Sequence, residues 1–149
     1  PGMRVLDKYA VVAGGGVNHR IGLFDMVLIK ENHIEAADGI GPAVMAVRKG
    51  MAQDGRQVKI EVEVENLKEL EEVLLVEVDQ VMLDNMSLDE MRQAVERVSM
   101  WAGSKPTLEA SGDVSLARVR EIAQTGVDFI SVGALTHSVK ALNISMLFR

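Results

Sequence analysis

Val58-Lys59-Ile60-Glu61-Val62-Glu63-Val64-Glu65 alternates aliphatic and charged side chains without a break. A period of two over eight residues is the signature of a β-strand, with Val and Ile on one face and Lys and Glu on the other. A parallel strand covered on both faces should read as nearly continuous apolar sequence. A strand with one face in water would read as this one does. The neighbouring segments bear on the choice, because Thr107, Glu109 and Ser111 alternate with Leu108 and Ala110, and Ser131 and Gly133 alternate with Ile130 and Val132. Several strands with a polar and an aliphatic face each suggest a sheet curled into a barrel. Helices would cover its aliphatic outside, and a polar pocket would open at the carboxyl ends of the strands.

Working outward, β-rich runs at 26–30, 58–65, 80–84, 107–111 and 128–133 alternate with helical patterns at 41–53, 67–76, 88–101 and 115–125, and 6–11 closes an opening helix. Such alternation predicts an α/β fold with a parallel sheet of βα units. Asn66-Leu67-Lys68-Glu69 and Ser87-Leu88-Asp89-Glu90 fit the pattern in which a short polar side chain and a Glu three residues on satisfy free backbone donors at a helix start. Gly126 follows Val119, Ile122 and Ala123 and can end that helix in a left-handed conformation, whereas no Gly follows Val76.

The bulk properties narrow the function classes. A chain of 149 residues suffices for one domain with a core and is short for two. Hydrophobic residues make up 48% but aromatic ones only 3%, so aliphatic and Met side chains must fill that core. The net charge of −6 argues against a nucleic-acid partner. The absence of Cys excludes disulfides and thiolate metal sites and fits a cytoplasmic protein. No apolar run approaches the length of a membrane span, and no signal peptide is visible. The opening at Pro1-Gly2, without an initiator Met, suggests a piece of a longer chain.

Each strand ends in a chemically useful group: Lys30, Glu63, Asp84, Ser111 with Gly112, then Gly133. The spacings of 33, 21, 27 and 22 residues suit one βα unit apiece. Taken singly, a Lys after a strand is an ordinary solvated residue; five convergent positions are not ordinary. Gly14-Gly15-Gly16-Val17-Asn18-His19-Arg20 joins a flexible turn to a cationic pair suited to an anion. His33 and His137 are lone histidines, for which a structural or surface role is the default. No His, Cys or Glu spacing recommends a zinc site. The nine Met residues fall mostly on apolar faces and read as core.

These stretches, continued through Ile21-Gly22-Leu23-Phe24-Asp25 and Leu28-Ile29-Lys30-Glu31-Asn32-His33-Ile34, resemble the quinolinate phosphoribosyltransferase family nearly residue for residue. Glu61-Val62-Glu63-Val64-Glu65, Met82-Leu83-Asp84-Asn85-Met86, Leu108-Glu109-Ala110-Ser111-Gly112 and Ser131-Val132-Gly133-Ala134-Leu135-Thr136-His137-Ser138 extend the resemblance in family order along most of the chain. It implies an open, TIM-barrel-like α/β barrel of fewer than eight parallel strands, working as a homodimer or higher homo-oligomer. It also implies that 1–149 is a single, incomplete catalytic barrel, without the family's amino-terminal sandwich domain and the first strand with its Arg-Lys-Thr motif.

The implied activity is a pentosyl transfer: phosphoribosyl pyrophosphate and quinolinate give nicotinate mononucleotide, pyrophosphate and CO2, in NAD biosynthesis. By the same resemblance His19, Arg20 and Lys30 would line the quinolinate pocket. Glu63 and Asp84 would sit near the ribose hydroxyls and Mg2+, with Lys30, Glu63 and Asp84 as the catalytic set. Ser111, Gly112, Gly133 and Ala134 would hold the 5′-phosphate, helped by a helix starting near Ser115, and His137 would reach phosphate or pyrophosphate. Asp113 departs from the family's usual Gly; it is expected to cap the following helix and point away. The alternatives are a paralogous phosphoribosyltransferase acting on another aromatic acid, as in the related protein found with molybdate transporters, and a non-catalytic ligand-binding barrel.

Overall fold

In the computed structural model, which describes residues 2–148, five parallel strands lie side by side in chain order. They are β1 (Met26–Ile29), β2 (Lys59–Val64), β3 (Gln80–Asp84), β4 (Thr107–Ser111) and β5 (Phe129–Ile130). The helices are α1 (Arg4–Ala13), α2 (Glu31–Ala36), α3 (Ile40–Asp54), α4 (Leu67–Leu74), α5 (Leu88–Met100), α6 (Val119–Ala123) and α7 (Ala134–His137). The sheet is α/β in class and open, with β1 and β5 as its edges.

The aliphatic face of β2 meets the helices as its alternation requires. Ile60, Val62 and Val64 are buried together with Val44 of α3, Leu70 and Val73 of α4, and Met91, Ala94 and Val98 of α5. Full burial of a Val or Leu side chain contributes about 1.5–3 kcal/mol, so this layer carries much of the stability. The charged face is not in water. Glu61 is 0% exposed and Glu63 9%, which rules out the solvent-facing strand. Register explains this: Leu28 pairs with Glu61, Glu61 with Gln80, and Met82 with Glu109, so residues of one parity gather on the concave side of the curled sheet.

Local signals hold where the elements are long. Asn66 Oδ1 accepts the N–H groups of Lys68 and Glu69, while Glu69 turns back to the N–H of Glu65 rather than of Asn66. Ser87 and Glu90 form the full reciprocal box at the start of α5. The position after α4 that wants a positive φ is filled by Glu77 at φ 51°, and Gly126 has φ 94°.

Elsewhere the chain departs from the sequence reading. The helix expected over 115–125 shrinks to five residues: Asp113 adopts φ 44°, and the residues before Val119 lie in turns closed on the Ser115 carbonyl. Asp113 therefore does not cap that helix; Arg118 stands at its N-cap, with no side-chain cap bond. The regular helix begins at Val119 rather than at Ser115, whose carbonyl accepts the N–H groups of Arg118 and Val119 in the turn before it. Two short helices, α2 and α7, went unanticipated. Met26, Met82, Met86 and Met91 are buried, but Met3, Met45, Met100 and Met146 are exposed, so Met is less uniformly a core residue than expected.

Candidate functional site

The carboxyl ends of the five strands carry Lys30, Glu63, Asp84, Ser111 and Gly133, in that order across the sheet. Lys30 immediately follows β1, and its Nζ pairs with the buried Glu63 Oε2 on β2. His33 Nδ1 accepts the Lys30 backbone N–H at 3.0 Å, which gives this histidine the structural role expected for it. At the end of β3, Asp84 Oδ2 accepts from Asn85 Nδ2 at 2.8 Å, and the N–H of Asn85 donates to the carbonyl of Ser111 at 3.0 Å. That bond ties the end of β3 to the end of β4.

Backbone conformation at this end is costly. Asn85 has φ 53°, a left-handed value that Asn tolerates better than most residues. Gly112 has φ 89°, a conformation that favours glycine, and a Cβ there would have to displace the Asn85 side chain. Beyond β5, the helix α7 begins right after Gly133, and His137 folds back until its Nε2 would be 3.0 Å from a Cβ on Gly133. Ala134 opens that helix, and His137 Nδ1 lies 2.6 Å from Ser138 Oγ. Three local groups result: Lys30 with Glu63, Asp84 with Asn85 and the Ser111-Gly112 turn, and Gly133 with Ala134 and His137. Among the described residues no hydrogen bond or ion pair joins one of these groups to the next.

His19 and Arg20 are placed differently. Their loop folds back over α1: Lys8 Nζ donates to the carbonyls of His19 and Arg20, and Asn18 Nδ2 donates to the carbonyl of Lys8. Asp25 accepts the N–H groups of Ile21 and Gly22, and these bonds hold its carboxyl below the usual range. Arg20 Nη1 reaches the carbonyl of Met26, at the amino end of β1, 3.4 Å away. The structure thus sets Arg20 at the opposite end of β1 from Lys30, where it shares a cavity of about 180 Å³ with Lys59, Gln80 and Phe129. His19 enters the concave face one layer below Lys30 and Glu63, and also borders a cavity of about 260 Å³ that extends to Ser131, Val132 and Gly133.

Inside the curl lies a polar cluster that the strand-end reading missed. His19 Nε2 is 2.7 Å from Glu61 Oε2. Gln80 Nε2 donates to Glu61 Oε1 at 3.0 Å and to Glu109 Oε2 at 2.6 Å, and Ser131 Oγ donates to Glu109 Oε1. The hydrogen bond to Glu61 raises the His19 pKa above its ordinary value, against the opposing effect of burial. Burial pushes the Glu109 carboxyl up in turn. The polar atoms of His19, Glu61 and Glu109 lie within 4.8 Å of one another, close enough for one hydrogen-bonded network. The Gln80 amide nitrogen joins its two carboxylates. The parity of Glu61 and Glu109 was the available signal, since both share a face with Glu63 and Ser111.

Comparison with known proteins agrees with this fold. Residues 1–147 match the family described as "Quinolinate phosphoribosyl transferase, C-terminal domain". The chloroplastic nicotinate-nucleotide pyrophosphorylase [carboxylating] of Arabidopsis thaliana is 46% identical over 161 aligned residues, covering 98% of this chain and 45% of its own length. The nicotinate-nucleotide pyrophosphorylase of Francisella tularensis superposes with a TM-score of 0.86 at 48% identity, over 94% of this chain and 47% of that one. NadC from Streptococcus pyogenes gives 0.88 at 36% identity, over 99% and 50%. The chain spans about half the length of the curated relatives it matches.

Proposed function

The chain belongs to the quinolinate phosphoribosyl transferase family, and on that premise we propose that it is the catalytic barrel portion of an enzyme that makes nicotinate mononucleotide. The substrates are quinolinate and phosphoribosyl pyrophosphate; the products are nicotinate mononucleotide, pyrophosphate and CO2. The observation that carries this reading is the row of Lys30, Glu63, Asp84, Ser111 and Gly133 at consecutive parallel strand ends. One cation, two carboxylates and two tight turns suit, in order, an aromatic dianion, a ribose with its leaving group, and a phosphate.

Quinolinate is met by Lys30, with His19 reaching the same interior from the glycine loop. Arg20, whose Nη1 reaches the Met26 carbonyl at the amino end of β1, lies outside this group. Lys30 surrenders Glu63 to the incoming substrate, or shares it. Glu63 and Asp84 face the ribose hydroxyls. Their carboxylates are hard oxygen donors on adjacent strands, a set that fits magnesium bound partly through water and substrate. When bound, that ion neutralises the pyrophosphate leaving group. Ser111, Gly112, Gly133 and Ala134 take the 5′-phosphate in the two turns, with His137 beside them.

The pyridine nitrogen then forms a bond to the ribose C1 as the bond to pyrophosphate breaks, through a transition state with oxocarbenium character. Positioning of the two reactants and the fixed charges around them supply most of the acceleration. The bond from C2 to its carboxylate breaks next, CO2 leaves, and C2 takes a proton. Lys30 stabilises the electron pair left there.

The family resemblance further supports a homodimer whose partner subunit completes the pocket. No helix among the described residues is long and apolar enough to cross a membrane, and a cytoplasmic setting is our reading. Curated relatives include proteins named as mitochondrial and chloroplastic.

The test is to express these 149 residues and the complete protein side by side, then follow nicotinate mononucleotide production from both substrates with magnesium. Turnover by the complete protein alone is expected, because the family resemblance implies an Arg-Lys-Thr strand and an amino-terminal domain that complete the basic pocket. At about 1.5–3 kcal/mol per hydrogen bond to a charged group, losing two or three such contacts weakens binding by orders of magnitude. Absence of product from the complete protein with quinolinate, but not with another aromatic acid, would move the assignment to a paralogous transferase. Comparable turnover by the short chain would show the site to be whole.

A further inference from the structure

Glu61 and Glu109 are among the most deeply buried charged residues in the molecule, at 0% and 3% exposure, and the chemistry above uses neither. Burying a carboxylate is costly unless it is hydrogen-bonded or paired. Here the cost is offset along a chain of contacts crossing four strands: Ser131 donates to Glu109, Gln80 donates to Glu109 and Glu61, and Glu61 meets His19 Nε2. Gln80 offers both amide hydrogens to the carboxylates, so it spaces them and fixes the rotamer of each. The remaining oxygen of Glu61 is thereby aimed at the imidazole.

We propose that Glu61, braced by Gln80 and Glu109, is a positioning residue that holds His19 as a cationic, two-donor group with its Nδ1 edge left for an anionic substrate. The chemistry of imidazole gives the reason. A neutral ring that donates Nε2–H to Glu61 has only a lone pair at Nδ1, which repels a carboxylate. A protonated ring donates from both nitrogens, one to Glu61 and one to the ligand.

The groups facing His19 favour that state on balance. Glu61 comes from β2 and Glu109 from β4, both acidic, against Arg20 beside it; Lys8 of α1 binds its carbonyl. His19 is about a quarter exposed, so a substrate can reach it. The proposal takes from the proposed function only that the ligand is anionic.

The decisive variant is Glu61→Gln in the complete protein, with histidine titration followed by NMR in the absence of substrate. The His19 pKa should fall by at least about one unit. In the activity assay, KM for quinolinate should rise at least about tenfold at pH 8 with a smaller change in kcat. The defect should shrink as the pH is lowered toward 6, where His19 protonates without its carboxylate. A structural role would give a deficit that pH does not rescue. An unmoved His19 pKa, or a KM defect equal at pH 6 and pH 8, would overturn the proposal. Should Glu61→Gln fail to fold, Glu109→Gln replaces it, with a smaller fall in the His19 pKa expected and no fall counting against us. Because the titration needs no substrate, it distinguishes failure of this relay from failure of the quinolinate assignment, which the wild-type assay tests by itself.

Discussion

The helices α1 and α4 have similar amphipathic sequences and opposite fates. In α4, Leu70 and Val73 are fully buried between the sheet and its neighbouring helices. In α1, Val5, Leu6, Tyr9 and Val12 form a comparable apolar stripe, yet no residue of the helix is buried and Val5 stands 79% exposed. The same contrast separates the middle of the molecule from its flanks. Among the described residues the buried hydrophobic core falls between Met26 and Ile122, while Val139, Leu142, Ile144, Met146, Leu147 and Phe148 are exposed. Amphipathicity states that a face seeks cover. Whether cover exists is decided by what lies opposite.

The largest expected effect tests that contrast directly. Leu70→Ala should destabilise this chain by about 2–5 kcal/mol, as large-to-small changes in packed cores do. Leu6→Ala in α1 should stay within about 0.5 kcal/mol. Urea unfolding of both variants measures the difference, and comparable losses would mean that α1 is packed in solution. Next comes the strand-end chemistry. In the complete protein Lys30→Ala should lower nicotinate mononucleotide formation at least about tenfold, since it removes a cation facing an anion. Unaltered turnover and unaltered quinolinate affinity would remove Lys30 from the site.

A smaller effect is expected at the start of α5, where Ser87→Ala removes one partner of a reciprocal cap and should cost about 1 kcal/mol. Amide exchange at Leu88, Asp89 and Glu90 should quicken first; unchanged protection there would show the cap to be redundant. The subtlest effect lies where flank meets middle, at the contact between His19 and Glu61. The folded-state pKa of His19 is raised, so the stabilisation is fully present below about pH 6.5, the ordinary histidine value. It is lost as pH rises through the higher folded value. Exchange across the loop 14–25, corrected for intrinsic rates, should therefore accelerate as pH rises beyond the ordinary histidine value, and a flat profile would mean that another contact holds the loop.

Much of the fold was legible because it rests on local rules. The alternation at Lys59–Val64 identified a strand with two chemically distinct faces. The Ser87 and Glu90 pair marked the start of α5, and the regular spacing of strand-end residues set five βα steps. Period, capping and turn chemistry act over a few residues, so a single sequence displays them. The same spacing set Lys30 and Glu63 at the carboxyl ends of adjacent strands, while their ion pair is visible only in the fold.

What remained hidden depends on contacts between distant residues. Sequence could say that Glu61 and Glu109 share a face with Glu63 and Ser111, but not that Gln80 would bridge them, since a bridge depends on register between strands 19 and 29 residues apart. It paired His19 with Arg20 because they are adjacent, whereas the fold sends one side chain into the barrel and the other to the amino end of β1. It assigned Asp113 a capping role from residue type, and the left-handed turn at that residue removed the helix start it would have capped. A single charged strand face reads identically in water and in a curled sheet, and only the same alternation in neighbouring segments favoured the barrel. Only the curvature imposed by five strands and their outer helices turns that face inward, where its carboxylates must find partners.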